Sequence, residues 1–279
     1  SLIVILFIWG PSGLLTLTAN SFSSLTNYLL LAAPLFIIMG ISIEVSGLAE
    51  DAFKAIECWL GRVRGSLAIC TVAAATILGA ATGFSGTGAA AFGPVVLPEM
   101  ARRKYDPGLA LGALGGGSAL GVLIPPSVPL LMYGFLSGES ISKLFLAGVI
   151  PGIVGSFIFM VYISIRSRLN PSLAPLGPVS TWRVALLNTW RILPLFILIL
   201  FVLGSLWGGM ATPTEAAAFG AFGALLMVVF YGKFNWHALK HIMIRTVEIN
   251  AMVFAIIMGA FTFTQILSYT GFVTKFSAL

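Results

Sequence analysis

Residues 65–98 read GSLAICTVAAATILGAATGFSGTGAAAFGPVVLP, and the length of this uncharged segment limits the possible folds. It contains no Asp, Glu, Lys or Arg, yet basic residues stand on both sides of it: Arg62, Arg64, Arg102 and Arg103. A straight helix of this length would be roughly 50 Å long at ~1.5 Å per residue, whereas a bilayer core is about 30 Å thick. Two full spans would need about 40 residues. The run therefore fits neither one span nor two.

The middle of this run, residues 82–88, reads TGFSGTG and is rich in helix-breaking residues. It predicts a re-entrant hairpin over residues 66–104, with one short helix in, a turn, and one short helix out. Irregular backbone at membrane depth must be buried in protein or line a wet cavity, so the turn is a candidate site. The candidate residues at this tip are Thr82, Gly83, Ser85, Gly86 and Thr87.

The rest of the chain has the composition of a membrane protein. Hydrophobic residues make up 58% and charged residues 9%, against about 25% charged in soluble domains. Six further runs carry no charged residue: 1–43, 107–138, 144–165, 192–214, 216–232 and 249–274. These runs predict an all-α polytopic membrane protein in a lipid bilayer. The net charge of +6 then bears on orientation, and no nucleic-acid partner is expected.

The basic residues fall in clusters, which the positive-inside rule places in the cytoplasm. A single path follows. Spans are predicted at 27–45 (inward), 107–136 (outward), 141–165 (inward), 187–207 (outward), 214–231 (inward) and 249–269 (outward). Amphipathic surface stretches are predicted at 49–63 and 235–245, and a cytoplasmic loop at 166–183.

The span at 107–136 contains a second break. Residues 115–118 read GGGS and residues 121–129 read GVLIPPSVP, which cannot form a continuous helix because proline removes a donor and clashes with the preceding turn. Freed carbonyls and half-helix ends at mid-membrane are typical of ion sites in transporters. The candidate residues of this broken helix are Ser118, Gly121, Pro125, Pro126 and Ser127.

Each motif has a structural alternative. The hydroxyls and carbonyls of the tip could coordinate a small cation or could form a Gly/Ser packing turn, and GxxxG spacings such as Gly79/Gly83 and Gly117/Gly121 indicate close helix packing. Residues 83–86 also match the GxSG of rhomboid-like intramembrane serine proteases, but both histidines are predicted at the membrane surface. Residues 212–215 predict a helix-capping box.

Two short segments are similar to each other. Residues 35–40 read LFIIMG and residues 254–259 read FAIIMG, and each is followed by a glycine, Gly47 and Gly271. The predicted path runs the first inward and the second outward. Opposed copies of one segment indicate an inverted repeat, a common architecture of secondary transporters.

Four stretches then coincide, in order, with one family. They are residues 27–44, which contain APLFI; the YDP of 105–107 with the IPPSVP of 124–129; the FLAGVIPG of 145–152; and the ATPTEAAA of 211–218. The chain resembles the large membrane subunit of TRAP (tripartite ATP-independent periplasmic) transporters, the DctM-like family.

This resemblance implies an elevator-type, inverted-repeat permease in the bacterial inner membrane and no enzymatic activity. It implies uptake of carboxylate solutes such as C4-dicarboxylates, with a periplasmic binding protein and a small four-helix membrane subunit as partners. No cofactor is implied beyond sodium as the coupling ion, which we expect to bind at Ser85, Thr87, Gly121 and Ser127. The alternatives are another inverted-repeat sodium/anion symporter, or a channel or scaffold subunit.

The resemblance also implies a division of the chain. We expect N-terminal scaffold spans and an arm helix over 1–64, part of the transport domain over 65–136, and a span and loop over 137–183. The start of the second repeat is expected over 184–279, with the first span truncated and the second hairpin beyond Leu279, so that residues 1–279 alone would not transport. Many family members carry an acidic residue just after the tip, where residues 88–91 here read GAAA.

Overall fold

The computed structural model describes residues 26–60, 63–177 and 182–269, together with residues 19 and 22. A short 3-10 helix at Tyr28–Leu31 leads into the first α-helix. The helices are α1 (Ala32–Ser46), α2 (Leu48–Leu60), α3 (Ser66–Thr82), α4 (Ser85–Arg102), α5 (Pro107–Gly121), α6 (Val128–Ser137), α7 (Ile141–Leu169), α8 (Trp182–Trp207), α9 (Pro213–Phe230) and α10 (Trp236–Tyr269). In the described ranges, β-pairing is limited to one isolated bridge between Arg64 and Leu176.

Five segments among the described residues are long and apolar enough to cross a membrane. They are Tyr28–Ser46, Ile141–Leu169, Ala185–Trp207, Pro213–Phe230 and Trp236–Gln265. The prediction of an all-helical membrane protein is therefore confirmed. The predicted surface stretch at 49–63 corresponds to α2. Its first turn carries Glu50 and Asp51, and acidic groups at this end stabilise a helix because the N-terminal end of the helix dipole is positive.

Two predicted boundaries are wrong. The surface stretch at 235–245 and the span at 249–269 form one continuous helix, α10. The charges at the junction do not end the helix, because Arg245 and Glu248 pair with each other at 3.1 Å along its exposed face. The loop predicted from residue 166 instead begins after Leu169, because Arg166 and Arg168 occupy the last turn of α7, where cations are favourable.

The helices pack in two groups. In the first group, α1 packs against α9 and α10, and α9 packs against α8. In the second group, α3 packs against α4, α5 and α7, and α6 packs against α7. Helix α2 contacts both groups, through α8 on one side and α3 on the other. The second group contains the predicted hairpin and the broken helix.

The loop at residues 170–177 holds the base of the second group. The Gly65 N–H donates to Pro175 O at 3.4 Å, and the Asp106 N–H donates to Leu173 O at 3.0 Å. The start of α3 and the start of α5 are thus fastened to the same loop by backbone hydrogen bonds. The buried Ala174 lies between these two points of attachment.

An ion-pair cluster at the end of α4 strengthens this base. The Arg103 guanidinium lies 2.6 Å from the Glu99 carboxylate and 3.3 Å from the Glu57 carboxylate of α2. Hydrogen bonds from Arg102 and Arg103 lower the pKa of the Glu99 carboxyl. The cluster therefore joins the end of the predicted hairpin to α2.

The two similar hexamers lie in α1 and α10, which pack against each other. Gly47 ends α1 with φ of 83°, the left-handed conformation usual for a glycine after a helix. Gly271 lies outside the described residues. The inverted repeat thus stays a prediction.

We expect cysteines introduced at Arg64 and Arg102 to react with a thiol reagent from the same side of the membrane, the cytoplasmic side. These positions lie at the two ends of the predicted hairpin, and the Arg102 side chain is exposed. A cysteine at the exposed Glu139, between α6 and α7, is the control and should react from the periplasmic side. Labelling of the two hairpin ends from opposite sides would show that α3 and α4 do not form a re-entrant pair.

Candidate ion and solute site

The tip of the helix pair is a two-residue turn between α3 and α4. Gly83 ends α3 with φ of 68°, and its N–H donates to Gly79 O at 2.8 Å. A residue with a side chain would be strained in this left-handed conformation. Phe84 is extended, and α4 begins at Ser85. The sequence TGFSG therefore reverses the chain at the expected place.

The tip is docked onto α1 through Thr82. The Thr82 side chain is buried, and its hydroxyl can donate to either of two carbonyl oxygens, Gly79 O at 3.4 Å or Phe84 O at 3.3 Å. A Cβ on Gly40 of α1 would come within 2.6 Å of Thr82 Cα. This close approach of two backbones is the reason that the α1 position must be glycine.

The break between α5 and α6 spans residues 122–127. The Gly121 carbonyl accepts a hydrogen bond from the Ile124 N–H at 3.2 Å, which closes the last turn of α5. Ser127 caps α6, because its hydroxyl oxygen accepts from the Leu130 N–H at 3.3 Å. Pro125, Pro126 and Ser127 are all buried.

A backbone hydrogen bond joins the tip to the break. The Val128 N–H donates to Gly83 O at 3.1 Å. A Cβ on Gly83 would lie 2.8 Å from Pro126 O. The structure therefore brings Gly83 together with Pro126 and with Ser127, the residue before the donor.

Glycines allow α3 and α5 to approach closely below this junction. A Cβ on Gly121 would lie 2.8 Å from Gly79 Cα, and one on Gly117 would lie 2.7 Å from Val72 Cα. Thr76 of α3 crosses the same interface, with its hydroxyl donating to Gly117 O at 3.3 Å and lying 3.3 Å from Ser156 Oγ of α7. These contacts fix the position of the tip relative to the break.

The other predicted site residues divide between buried and exposed positions. Ser118 is buried, donates to Leu114 O at 2.8 Å, and lies opposite Gly88 of α4. Ser85 and Gly86 are exposed in the first turn of α4. Thr87 belongs to the same turn, and its side chain lies outside the described residues.

The junction offers oxygen atoms of the kind that small hard cations prefer. Carbonyl oxygens have two lone pairs and a hydroxyl oxygen also has two, so Gly121 O and Ser127 Oγ each keep a free acceptor position beside the bond described above. The groups stand where two helices are interrupted, which is the usual setting of cation sites in secondary transporters.

A charged cleft beside the tip was not predicted from the sequence. Glu44 of α1 and two basic residues of α10, His241 and Arg245, line a cavity of about 170 Å³. Its other walls are formed by apolar side chains and by the first turns of α4: Ile41, Phe84, Gly86, Ala90 and Ile249. The sequence pattern predicted residues 235–245 as a surface stretch. It therefore gave no reason to expect His241 and Arg245 near the tip.

A family match over the whole length of the chain shows which family it belongs to. The model of the tripartite ATP-independent periplasmic transporter DctM component matches residues 1–279. The chain belongs to the DctM family. It is therefore a multi-pass protein of the bacterial inner membrane and not an enzyme, so the protease interpretation of residues 83–86 gains no support.

Curated relatives agree with the DctM assignment. The C4-dicarboxylate TRAP transporter large permease protein DctM of Pseudomonas aeruginosa is 30% identical over 94% of this chain and 61% of its own length. The sialic acid TRAP transporter large permease protein SiaM of Vibrio cholerae is 28% identical, with the same coverage of 94% and 61%. The ectoine TRAP transporter large permease protein TeaC of Halomonas elongata is 29% identical over 86% of this chain and 56% of its own length. The DctM-family chain thus spans about 61% of the length of the first of these relatives.

Proposed function

We propose that this DctM-family chain is part of the permease subunit of a sodium-coupled secondary transporter for organic acids. The solute is delivered by a periplasmic binding protein, and a small four-helix membrane subunit completes the permease. The single observation that carries the proposal is the hydrogen bond from the Val128 N–H to Gly83 O, which joins a helical tip to a helix break.

The helix pair α3–α4 is the re-entrant hairpin of this transporter. Helix α3 has 17 residues, so it is roughly 25 Å long at ~1.5 Å per residue, which is shorter than the bilayer core. The turn at Gly83 and Phe84 then stays within the membrane. Its polar backbone is met by the break at residues 122–127, as irregular backbone at that depth requires.

The coupling sodium ion is held between tip and break. Its ligands are the hydroxyls of Ser85, Thr87 and Ser127 and the carbonyl region of Gly121. Ser127 is the best placed of the four, because it is fully buried and precedes the residue that bonds to Gly83. Each ligand is an oxygen donor, and each stands at a helix end, where such sites are built.

Transport proceeds by an elevator movement of one helix group against the other. The mobile group contains α3 to α7. The Gly79/Gly121 contact joins α3 to α5, and the Thr76 hydroxyl links α3 to α5 and α7. Helix α4 packs against α3 and α5, and α6 packs against α7. The scaffold contains α1, α8, α9 and α10, and α2 is the arm between the groups. The similarity to C4-dicarboxylate, sialic acid and ectoine permeases supports an organic acid as the solute.

The sodium site is tested by replacing hydroxyls at the tip. In the complete transporter, the double variant Ser85→Ala with Thr87→Ala is expected to raise the sodium concentration for half-maximal uptake by about tenfold, because the ion loses two ligands; a tenfold change corresponds to about 1.4 kcal/mol of binding free energy. The measurement is solute uptake into proteoliposomes, in the presence of loaded binding protein, as a function of external sodium.

The matched control is Ser137→Ala, which removes an exposed hydroxyl at the far end of α6, one that donates to Tyr133 O. Its sodium dependence should equal that of the wild type. An unchanged sodium requirement in the Ser85/Thr87 double variant, at normal protein levels, would assign these hydroxyls to packing. Uptake that needs no sodium at all would refute the coupling.

A further inference from the structure

The cleft formed by Glu44, His241 and Arg245 holds opposite charges apart. The Glu44 carboxylate faces both basic side chains across the cavity. Among the described residues, Arg245 forms its ion pair with Glu248, at 3.1 Å, and Glu44 takes part in no ion pair. A space of about 170 Å³ therefore separates an acidic wall from a basic wall.

The position of the cleft relates it to solute movement. Glu44 lies in the last turn of α1, and His241 and Arg245 lie near the start of α10, so the predicted orientation puts all three towards the cytoplasm. Gly86 and Ala90 line the same cavity from the hairpin. The cleft therefore adjoins the tip at which the proposed function places the sodium ion.

We propose that this cleft is an exit subsite for a small zwitterionic carboxylate, a solute with a carboxylate at one end and a cationic nitrogen at the other. This inference rests on the proposed transport function and narrows its substrate class. The carboxylate binds to Arg245 and His241, since a guanidinium and an imidazole N–H are suited to a carboxylate. The cationic nitrogen binds to Glu44.

The charges in and next to the cleft favour a zwitterion over a dicarboxylate. Glu44 lines the wall opposite Arg245 and His241, and the guanidinium of Arg245 already pairs with Glu248 beside the cleft. A dianion would meet Glu44 with its second carboxylate, and like charges at close range repel. A zwitterion offers each wall its opposite charge. The cavity is also below the roughly 300–1,000 Å³ of sites for drug-sized ligands, so the solute has few carbon atoms.

The test measures occupancy of the cleft directly. The complete permease with its small subunit is placed in lipid nanodiscs, its native cysteines are replaced by alanine, and Ala90→Cys provides the reporter, because Ala90 is exposed in the cleft. The rate of thiol labelling is followed against three compounds with four carbons each: 4-aminobutyrate, butyrate and succinate. They differ only at one end, which is cationic, apolar or anionic.

We expect 4-aminobutyrate to protect the thiol at a lower concentration than butyrate, and succinate to protect least. Arg245→Ala should raise the half-protecting concentration of 4-aminobutyrate by about tenfold, the loss of a charge-assisted hydrogen bond. Glu44→Gln should remove the advantage of 4-aminobutyrate over butyrate. Lys240→Ala, an exposed base on the same helix outside the cleft, is the matched control and should change neither.

Two results would overturn the inference: protection by succinate equal to or stronger than that by 4-aminobutyrate, or an effect of Arg245→Ala no larger than that of Lys240→Ala. A parallel uptake assay with the binding protein tests the proposed transport function separately from the cleft. Sodium-driven uptake of a carboxylate without protection at Ala90→Cys would reject the cleft and leave the proposed function standing. Absence of sodium-driven uptake would reject the proposed function itself.

Discussion

Replacing Gly121 by alanine is expected to lower the melting temperature of the complete permease and to remove most of its transport activity. The new Cβ would lie 2.8 Å from Gly79 Cα and 2.9 Å from Thr76 O. Both are backbone atoms of α3, so no side-chain rotation relieves the contact and the two helices must separate. Overpacking of this kind costs about 1–3 kcal/mol. Thermal unfolding of the purified permease and solute uptake measure the two effects.

The control for this prediction lies on the same helix. A Cβ on Gly115 would have no neighbour within 4 Å. Gly115→Ala should therefore keep uptake and leave the melting temperature unchanged or slightly higher, since alanine favours a helix over glycine by about 1 kcal/mol. Equal melting temperatures for the two variants would show that α3 and α5 are not in backbone contact.

Gly83→Ala is expected to abolish uptake while the protein remains folded. Alanine at φ of 68° costs about 1–2 kcal/mol, and its Cβ would lie 2.8 Å from Pro126 O. The tip must then move away from the break, which lengthens the hydrogen bond from Val128 to Gly83. Because the proposed sodium ligands stand on both sides of this bond, the sodium dependence of any residual uptake should also shift.

The variant Gly138→Ala separates the effect of backbone strain from the effect of the contact between the new Cβ and the break. Gly138 has φ of 74°, so alanine meets the same backbone strain there, but a Cβ would have no neighbour within 4 Å. Gly138→Ala should reduce the melting temperature slightly and retain uptake. If it lost uptake to the same degree as Gly83→Ala, backbone strain alone would explain the result, and the contact between tip and break would not be needed for transport.

The features that could be predicted from the sequence are those set by local chemistry. The uncharged run at 65–98 was too long for one span and too short for two, and TGFSG marked the turn within it. Thr212 and Glu215 form the expected capping box, with the Glu215 N–H donating to Thr212 Oγ1 at 3.3 Å and the Thr212 N–H donating to Glu215 Oε2 at 2.8 Å. Such signals depend on a few neighbouring residues.

Features that depend on packing between distant segments could not be predicted. The spacing Gly117/Gly121 marks a true backbone contact with α3, yet a Cβ on Gly112, in a similar GxxxG spacing, would have no neighbour within 4 Å. Both look alike in sequence, because the pattern does not say which helix face meets a partner. Thr76 gave no signal of its hydrogen bond to Gly117, since its partner is a backbone carbonyl.

The cleft could not be predicted because the charged residues near the start of α10 suggested a separate surface segment. Lys240 and Arg245 suggested a surface segment, whereas α10 runs through them without interruption. A long helix can carry charged residues near its end if they face a wet cleft or each other. The sequence shows the charges, and only the position of α1 and of the hairpin tip shows what Arg245 faces.

The loop at residues 170–177 has a consequence for how sequences of this kind can diverge. It holds α3 and α5 through the carbonyls of Pro175 and Leu173, and every residue type has a carbonyl. The hydrogen bonds themselves therefore tolerate exchange of side chains, and Leu176, which is 62% exposed, is under weak constraint, whereas packing constrains the buried Ala174. A deletion in the loop, by contrast, would shift both attachment points at once. In a deep mutational scan this loop should tolerate exchange of its exposed side chains, keep a small residue at position 174, and reject changes of length.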